Sequence, residues 1–163
     1  MSVFGHSGYP VIIFPTTMGR FYEAKDFKLI ESAKWFVEQG MVTLYCPDSV
    51  NDLSWYNKGI HPAEKVKNHI YYDKAIMDEL VERVRWNTPA GKVAVAGCSF
   101  GGYHAANFAF RHPELVSHMI SMSGAFSITS FMDGYYDDNV YYNNPVDFLP
   151  NSNNPALWDM KII

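Results

Sequence analysis

No stretch of this sequence stays apolar long enough to cross a bilayer, which takes about 20 consecutive residues in a helix. The opening MSVFGHSGYP has neither a basic n-region nor an apolar h-region, so nothing in it marks the chain for secretion. Positive charge is in short supply. Lys and Arg number 13 against 17 Asp and Glu, a net charge of −4. That excludes a basic footprint for nucleic acid or an anionic membrane. Only two cysteines are present, Cys46 and Cys98, so there is no disulfide framework and a reducing, cytoplasmic setting is expected. Charged residues are few at 18%, while 48% of the chain is hydrophobic. This composition excludes a disordered chain, and 163 residues suffice to bury the core of one domain. Aromatics are plentiful at 16%, and many fall between the apolar runs, where they would either line a ligand surface or pack the core.

Short apolar runs alternate with helical patterns. PVIIF (10–14) reads as a buried strand. DFKLIESAKWFVEQG (26–40) carries Phe27, Ile30, Lys34 and Val37 at helical spacing, with Asp26 as cap and Gly40 as stop. MVTLYC (41–46) is a second strand. A long helix is expected from Pro62, with Val66, Ile70, Met77, Leu80, Val81 and Val84 on one face. KVAVAG (92–97) is the third strand, a helix of small residues follows over 101–111, VSHMISMSG (116–124) is the fourth strand, and MKII (160–163) the fifth. This alternation predicts an α/β fold, a three-layer αβα sandwich with a mostly parallel sheet and right-handed crossovers. The whole of 1–163 reads as one domain without repeats. Residues 125–159 break the rhythm and read as a cap-like insertion or, more blandly, as a surface excursion.

The chemistry lies in VAVAGCSFGGYH (93–104). Gly97-Cys98-Ser99-Phe100-Gly101 fits G-x-S-x-G between a strand and a helix. On such a turn the serine is forced into a crowded conformation, and glycines two residues either side remove the side chains that would collide. The helix that follows points its N-terminus at the hydroxyl, where free N–H groups favour developing negative charge. The N–H of Phe100 is the natural first donor of an oxyanion hole. The second is expected in PTTMG (15–19), with Thr16 and Thr17 as candidates. The competing reading is a glycine-rich turn carrying a surface serine, and the flanking apolar strand and small-residue helix weigh against it.

These residues carry a resemblance. GYPVIIFPTTMGRFYEAKDF, AVAGCSFGGYHAANFAFRHPELV, MSGAF and NNPVDFLP resemble the esterase D-like esterases of the α/β-hydrolase superfamily, a group that includes mycolyltransferases. The resemblance implies Ser99 as nucleophile, Phe100 and Thr17 as oxyanion-hole donors, a small-molecule ester substrate, and no metal or organic cofactor. It also implies a sheet with 92–97 central, 10–14 and then 41–46 on one side, and 116–124 and then 160–163 on the other.

In this fold the acid and the histidine follow the serine along the chain, after strands that come late in the sheet. Both are therefore expected beyond Ile163, so that the sequence reads as the middle of a hydrolase, a partial α/β-hydrolase fold. The histidines present are His6, His61, His69, His104, His112 and His118, and none stands where the triad base is expected. Asp133, Asp137, Asp138 and Asp147 follow Ser99 but have no histidine to orient. A serine without a base is a weak nucleophile, so this chain alone is expected to be a feeble esterase at most. Cys98 and Cys46 are expected to be small buried residues, and the eight-residue spacing of His61 and His69 is not a metalloprotease pattern. The sequence therefore predicts a serine carboxylesterase-type hydrolase working through an acyl-enzyme. Two alternatives stand beside it: an acyltransferase or thioesterase using the same serine and oxyanion hole, and a non-catalytic module or homo-oligomer that pairs through the sheet edge at MKII.

Overall fold

A computed structural model describes residues 1–163. Six strands form one sheet: β1 (Ser2–Phe4), β2 (Tyr9–Phe14), β3 (Val42–Cys46), β4 (Val93–Cys98), β5 (Val116–Met122) and β6 (Lys161–Ile162). Their order is β1-β3-β2-β4-β5-β6. All pairs are parallel except β1 with β3. The core of this order is the one expected from the sequence. The added strand is β1, whose three residues are too short to show a period of two.

The central strands are buried on both faces, which is why β2 and β4 read as continuous apolar runs. One face is covered by α4 (Pro62–Ala75), its continuation through a π-helical turn (Ile76–Val81) and α5 (Glu82–Val84), and by α6 (Phe100–Arg111). Here 17 buried residues form the main core, among them Ile12, Phe14, Val95, Ala105, Phe108 and Val116. Pro62 opens α4 where a missing N–H costs nothing, and His61 caps it, its Nδ1 accepting from the Ala63 N–H at 3.2 Å. The π-helical turn shifts the expected apolar stripe. Ile76 is buried in the core and Met77 only packs against it.

The other face is covered by three short helices, α1 (Glu23–Asp26), α2 (Leu29–Ser32) and α3 (Lys34–Glu38). The continuous helix expected over 26–40 is therefore not formed. Asp26 ends α1 instead of capping a helix, and Lys28 takes a left-handed φ of 62° that breaks the path between α1 and α2. Gly40 does close the segment, with φ of 65°. Only Ile13, Leu44, Cys46 and Ala96 are fully buried on this side. Phe27, Trp35, Phe36 and Met122 remain exposed.

Residues 125–159 hold α7 (Asp138–Tyr141), α8 (Pro145–Phe148) and single 3-10 turns. They are packed against the body. Ile128, Met132 and Val140 join Trp55, Val66, Phe100 and Tyr103 in a second buried cluster. Asn143 ties the segment to α6. Its carbonyl accepts from the Tyr103 hydroxyl at 2.9 Å, and its Oδ1 accepts from Asn107 at 3.1 Å and Arg111 at 2.7 Å. No helix is long and apolar enough to cross a membrane.

Candidate active site

The turn from β4 into α6 has the geometry its glycines allow. Ser99 stands at φ 54°, ψ −118°, outside the regions that L-residues ordinarily occupy. A Cβ on Gly97 would lie 2.8 Å from the Gly102 nitrogen, and one on Gly101 would lie 2.8 Å from the Pro15 carbonyl oxygen. Neither position accepts a side chain. Strain of this kind costs on the order of 1–3 kcal/mol and persists only where the surroundings impose it. Here they do. The Ser99 N–H donates to the Met122 carbonyl at 2.9 Å, and its carbonyl accepts from the Gly102 N–H at 3.0 Å. The side chain is exposed at the carboxyl ends of the strands, where ligands bind in open α/β sheets.

Phe100 is the first residue of α6, so its N–H has no acceptor within the helix. The loop 15–19 lies alongside, because Phe14 is in register with Gly97. The two threonines of that loop are told apart by their hydrogen bonds. The Thr16 N–H donates to Glu23 Oε2 at 2.7 Å, and its hydroxyl donates to Oε1 at 2.6 Å. The Thr17 N–H meets no protein acceptor, and its hydroxyl lies 3.2 Å from that of Tyr56. The Tyr56 ring packs on Phe100 and on Phe131, at centroid distances of 5.4 and 4.9 Å. Thr17 thus reaches Phe100, the residue after Ser99, through Tyr56 at one corner of the sheet. Glu23 and Tyr56 share that corner and were not singled out by the sequence, since neither belongs to a recurring spacing. An acid placed shortly after a Gly-containing turn was the one available hint of Glu23.

Cys98 departs from expectation. It is exposed and lines a cavity of about 320 Å³ with Thr16, Phe21, Glu23, Phe27 and Met122. The residue before the serine faces the thinly covered side of the sheet, where the cavity is lined by α1 and the start of α2. Cys46 is buried as expected, and burial pushes its thiol up to about 11.

The histidines are placed elsewhere. His104 points into the core, stacked on Phe14, with Nε2 at 2.8 Å from Asn51 Oδ1. Burial lowers its pKa to about 3. His69 accepts from Asn107 Nδ2 at 3.0 Å and is held far below its ordinary value, first by burial and then by His104. His112 lies 2.8 Å from Asp73 at the far end of α6, His118 bonds Ser117 near the start of β5, His61 caps α4, and His6 lies beside Gly40. None of these hydrogen bonds goes to Ser99. The tyrosines of the insertion are partly tied within it: Tyr135 donates to Asp137 at 2.8 Å and Tyr136 to Asp147 at 2.6 Å.

The comparisons with known proteins agree with this architecture. A family model described as alpha/beta hydrolase fold matches residues 52–156. Among solved structures, the chain is similar to FphF, a fluorophosphonate-binding serine hydrolase of Staphylococcus aureus. The TM-score is 0.61 at 14% identity, over 96% of this chain and 63% of that one. It is similar to the S-formylglutathione hydrolase FrmB of the same organism, with a TM-score of 0.59 at 18% identity over 93% and 57%. MPT51 of Mycobacterium tuberculosis gives 0.53 at 18% identity, over 81% and 48%. The chain thus spans less than two thirds of the length of these structures. No curated protein sequence gives a match. A sheet in this order, a serine on a strained strand-to-helix turn and a family match over most of the chain lead to one assignment: the chain belongs to the α/β-hydrolase fold family.

Proposed function

We propose that this chain carries the nucleophile and oxyanion hole of a serine carboxylesterase-type hydrolase. Ser99 Oγ gives up its proton and attacks the carbonyl carbon of a small-molecule ester. The tetrahedral oxyanion collapses as the bond to the alkoxy group breaks, and that group leaves as the alcohol with the proton. Water then hydrolyses the acyl-enzyme to the acid and free serine. The N–H groups of Phe100 and Thr17 take the developing oxyanion. The observation that carries this reading is the backbone of Ser99, whose φ of 54° is imposed at the head of a helix with its side chain exposed. A turn that served packing alone would gain nothing from holding a non-glycine residue there.

Two hydrogen-bond patterns support the donor assignment. Glu23 occupies the Thr16 N–H and leaves that of Thr17 free, and Phe100 opens α6. In this reading the base and its acid lie outside residues 1–163, since no histidine present hydrogen-bonds to the serine. Without them a site of this kind keeps roughly 10³–10⁴-fold acceleration over water from binding and the oxyanion hole.

The test is a fluorophosphonate probe together with p-nitrophenyl acetate turnover. Slow labelling that Ser99→Ala abolishes, with turnover barely above background, is the expected result. Labelling that survives Ser99→Ala would move the nucleophile elsewhere. Robust turnover lost in Ser99→Ala would place a base within these residues.

A further inference from the structure

The loop that offers Thr17 is not a relaxed turn. Gly19 N–H donates to the Thr16 carbonyl at 3.0 Å, closing a four-residue turn whose third member, Met18, has φ of 55°. A non-glycine residue there is strained, and Met18 is about half exposed, outside the buried core. The hold comes from the carboxylate of Glu23, which receives both the N–H and the hydroxyl of Thr16. Hydrogen bonds to an ionised acceptor are roughly twice as strong as neutral ones. Gly19 makes room for this clamp, since a Cβ there would lie 2.6 Å from the carboxylate carbon. The next residues are braced independently. Arg20 pairs with both oxygens of Asp48, at 2.6 and 2.7 Å.

We propose that Glu23 is the positioning residue of the oxyanion loop: by occupying Thr16 it fixes the turn so that the Thr17 N–H alone is presented beside Ser99. This rests on the serine-hydrolase reading above. Glu23 touches no reacting atom. Its effect passes through the peptide between Thr16 and Thr17, and it decides which of two adjacent amides meets the charge.

The variants are Glu23→Ala, Glu23→Gln and Gly19→Ala. Glutamine keeps one acceptor oxygen and restores part of the clamp. Gly19→Ala displaces the carboxylate while leaving Glu23 and Thr16 in place. Two readouts are taken on the 163-residue chain, amide hydrogen exchange over residues 15–19 and the saturation kinetics of fluorophosphonate labelling. Loss of one oxyanion donor typically costs about 10²–10³-fold, so a misplaced donor should slow the limiting labelling rate by about 10–100-fold in Glu23→Ala and Gly19→Ala. Half-saturation should stay unchanged, and Glu23→Gln should fall between. Exchange at 15–19 should quicken in the same order while β4 stays protected. Glu23→Ala with unaltered exchange, or with wild-type labelling, overturns the proposal. So does an equal loss in the alanine and glutamine variants that tracks a lowered melting temperature, since that is a structural residue's signature. Failure of the parent chain to label at Ser99 overturns the hydrolase reading instead, and the clamp is then judged by exchange alone.

Discussion

The two faces of the sheet are built differently. Against α4 and α6 the core is deep, with 17 buried residues, and α6 itself is enclosed along nearly its whole length. Against α1, α2 and α3 only four residues are fully buried, and large apolar side chains stand in solvent. The helix that follows Ser99 belongs to the first face. The loop 15–19, Glu23 and the cavity beside Cys98 open toward the second. Ser99 is therefore held by packing, which tolerates little change, whereas the loop that carries Thr17 is held by a few directed hydrogen bonds. The first kind of support is broken by removing volume and the second by removing an acceptor.

The contrast can be broken most severely at Phe108, which is 2% exposed in the main core. Phe108→Ala should lower unfolding free energy by about 3–5 kcal/mol, the usual cost of a large cavity, and urea denaturation reads it directly. A result below about 1 kcal/mol would mean that the tight face is not tight.

A second probe uses the protons that this face excludes. His104 is neutral in the fold, with its pKa lowered to about 3 by burial, while in the unfolded chain it titrates near its ordinary value of 6.5. Between those values the unfolded state binds more protons, so stability falls as pH falls below about 6.5. At about pH 4.5 this one group should account for roughly 2–3 kcal/mol of lost stability. Melting curves from pH 7.5 downward should show the slope, and His104→Phe should flatten part of it, leaving the share that His69 contributes. A melting temperature independent of pH over that range would contradict the buried neutral state.

The smallest effect is expected on the open side. Phe27 is 74% exposed, and Phe27→Ala should change stability by no more than about 0.5 kcal/mol. A loss several times larger would show that the second face carries more of the fold than its burial indicates.

The same asymmetry explains what could be read from the residues alone. The strands that pack on both faces, β2 and β4, are apolar runs, and they and their neighbours β3 and β5 were found close to their limits, while their order was expected from the family resemblance. The turn at Ser99 was legible because Gly97 and Gly101 are required by contact with neighbouring backbone. The thin face gave weaker signals. Lys28 breaks the 26–40 helix without a glycine or asparagine to announce it, and the helical spacing of Phe27, Ile30, Lys34 and Val37 survives across the break. Cys98 was expected to be buried because small thiols usually are. Its exposure depends on which face lacks cover, and that is a property of the assembled sheet. Glu23 acts on a residue seven positions earlier through a turn whose shape depends on Met18, so no local pattern marks it.

The anchoring of residues 125–159 has a consequence for how such a scaffold varies. Asn143 receives three side chains from the serine's own helix, and Asn144 Oδ1 accepts the Ile128 N–H at 2.9 Å. The excursion is thus pinned at its base while its outer residues, such as Tyr136 and Tyr142, stay in solvent. In the serine-hydrolase reading proposed above, substitutions on this exposed rim would leave the anchoring at Asn143, and with it the helix that follows Ser99, in place.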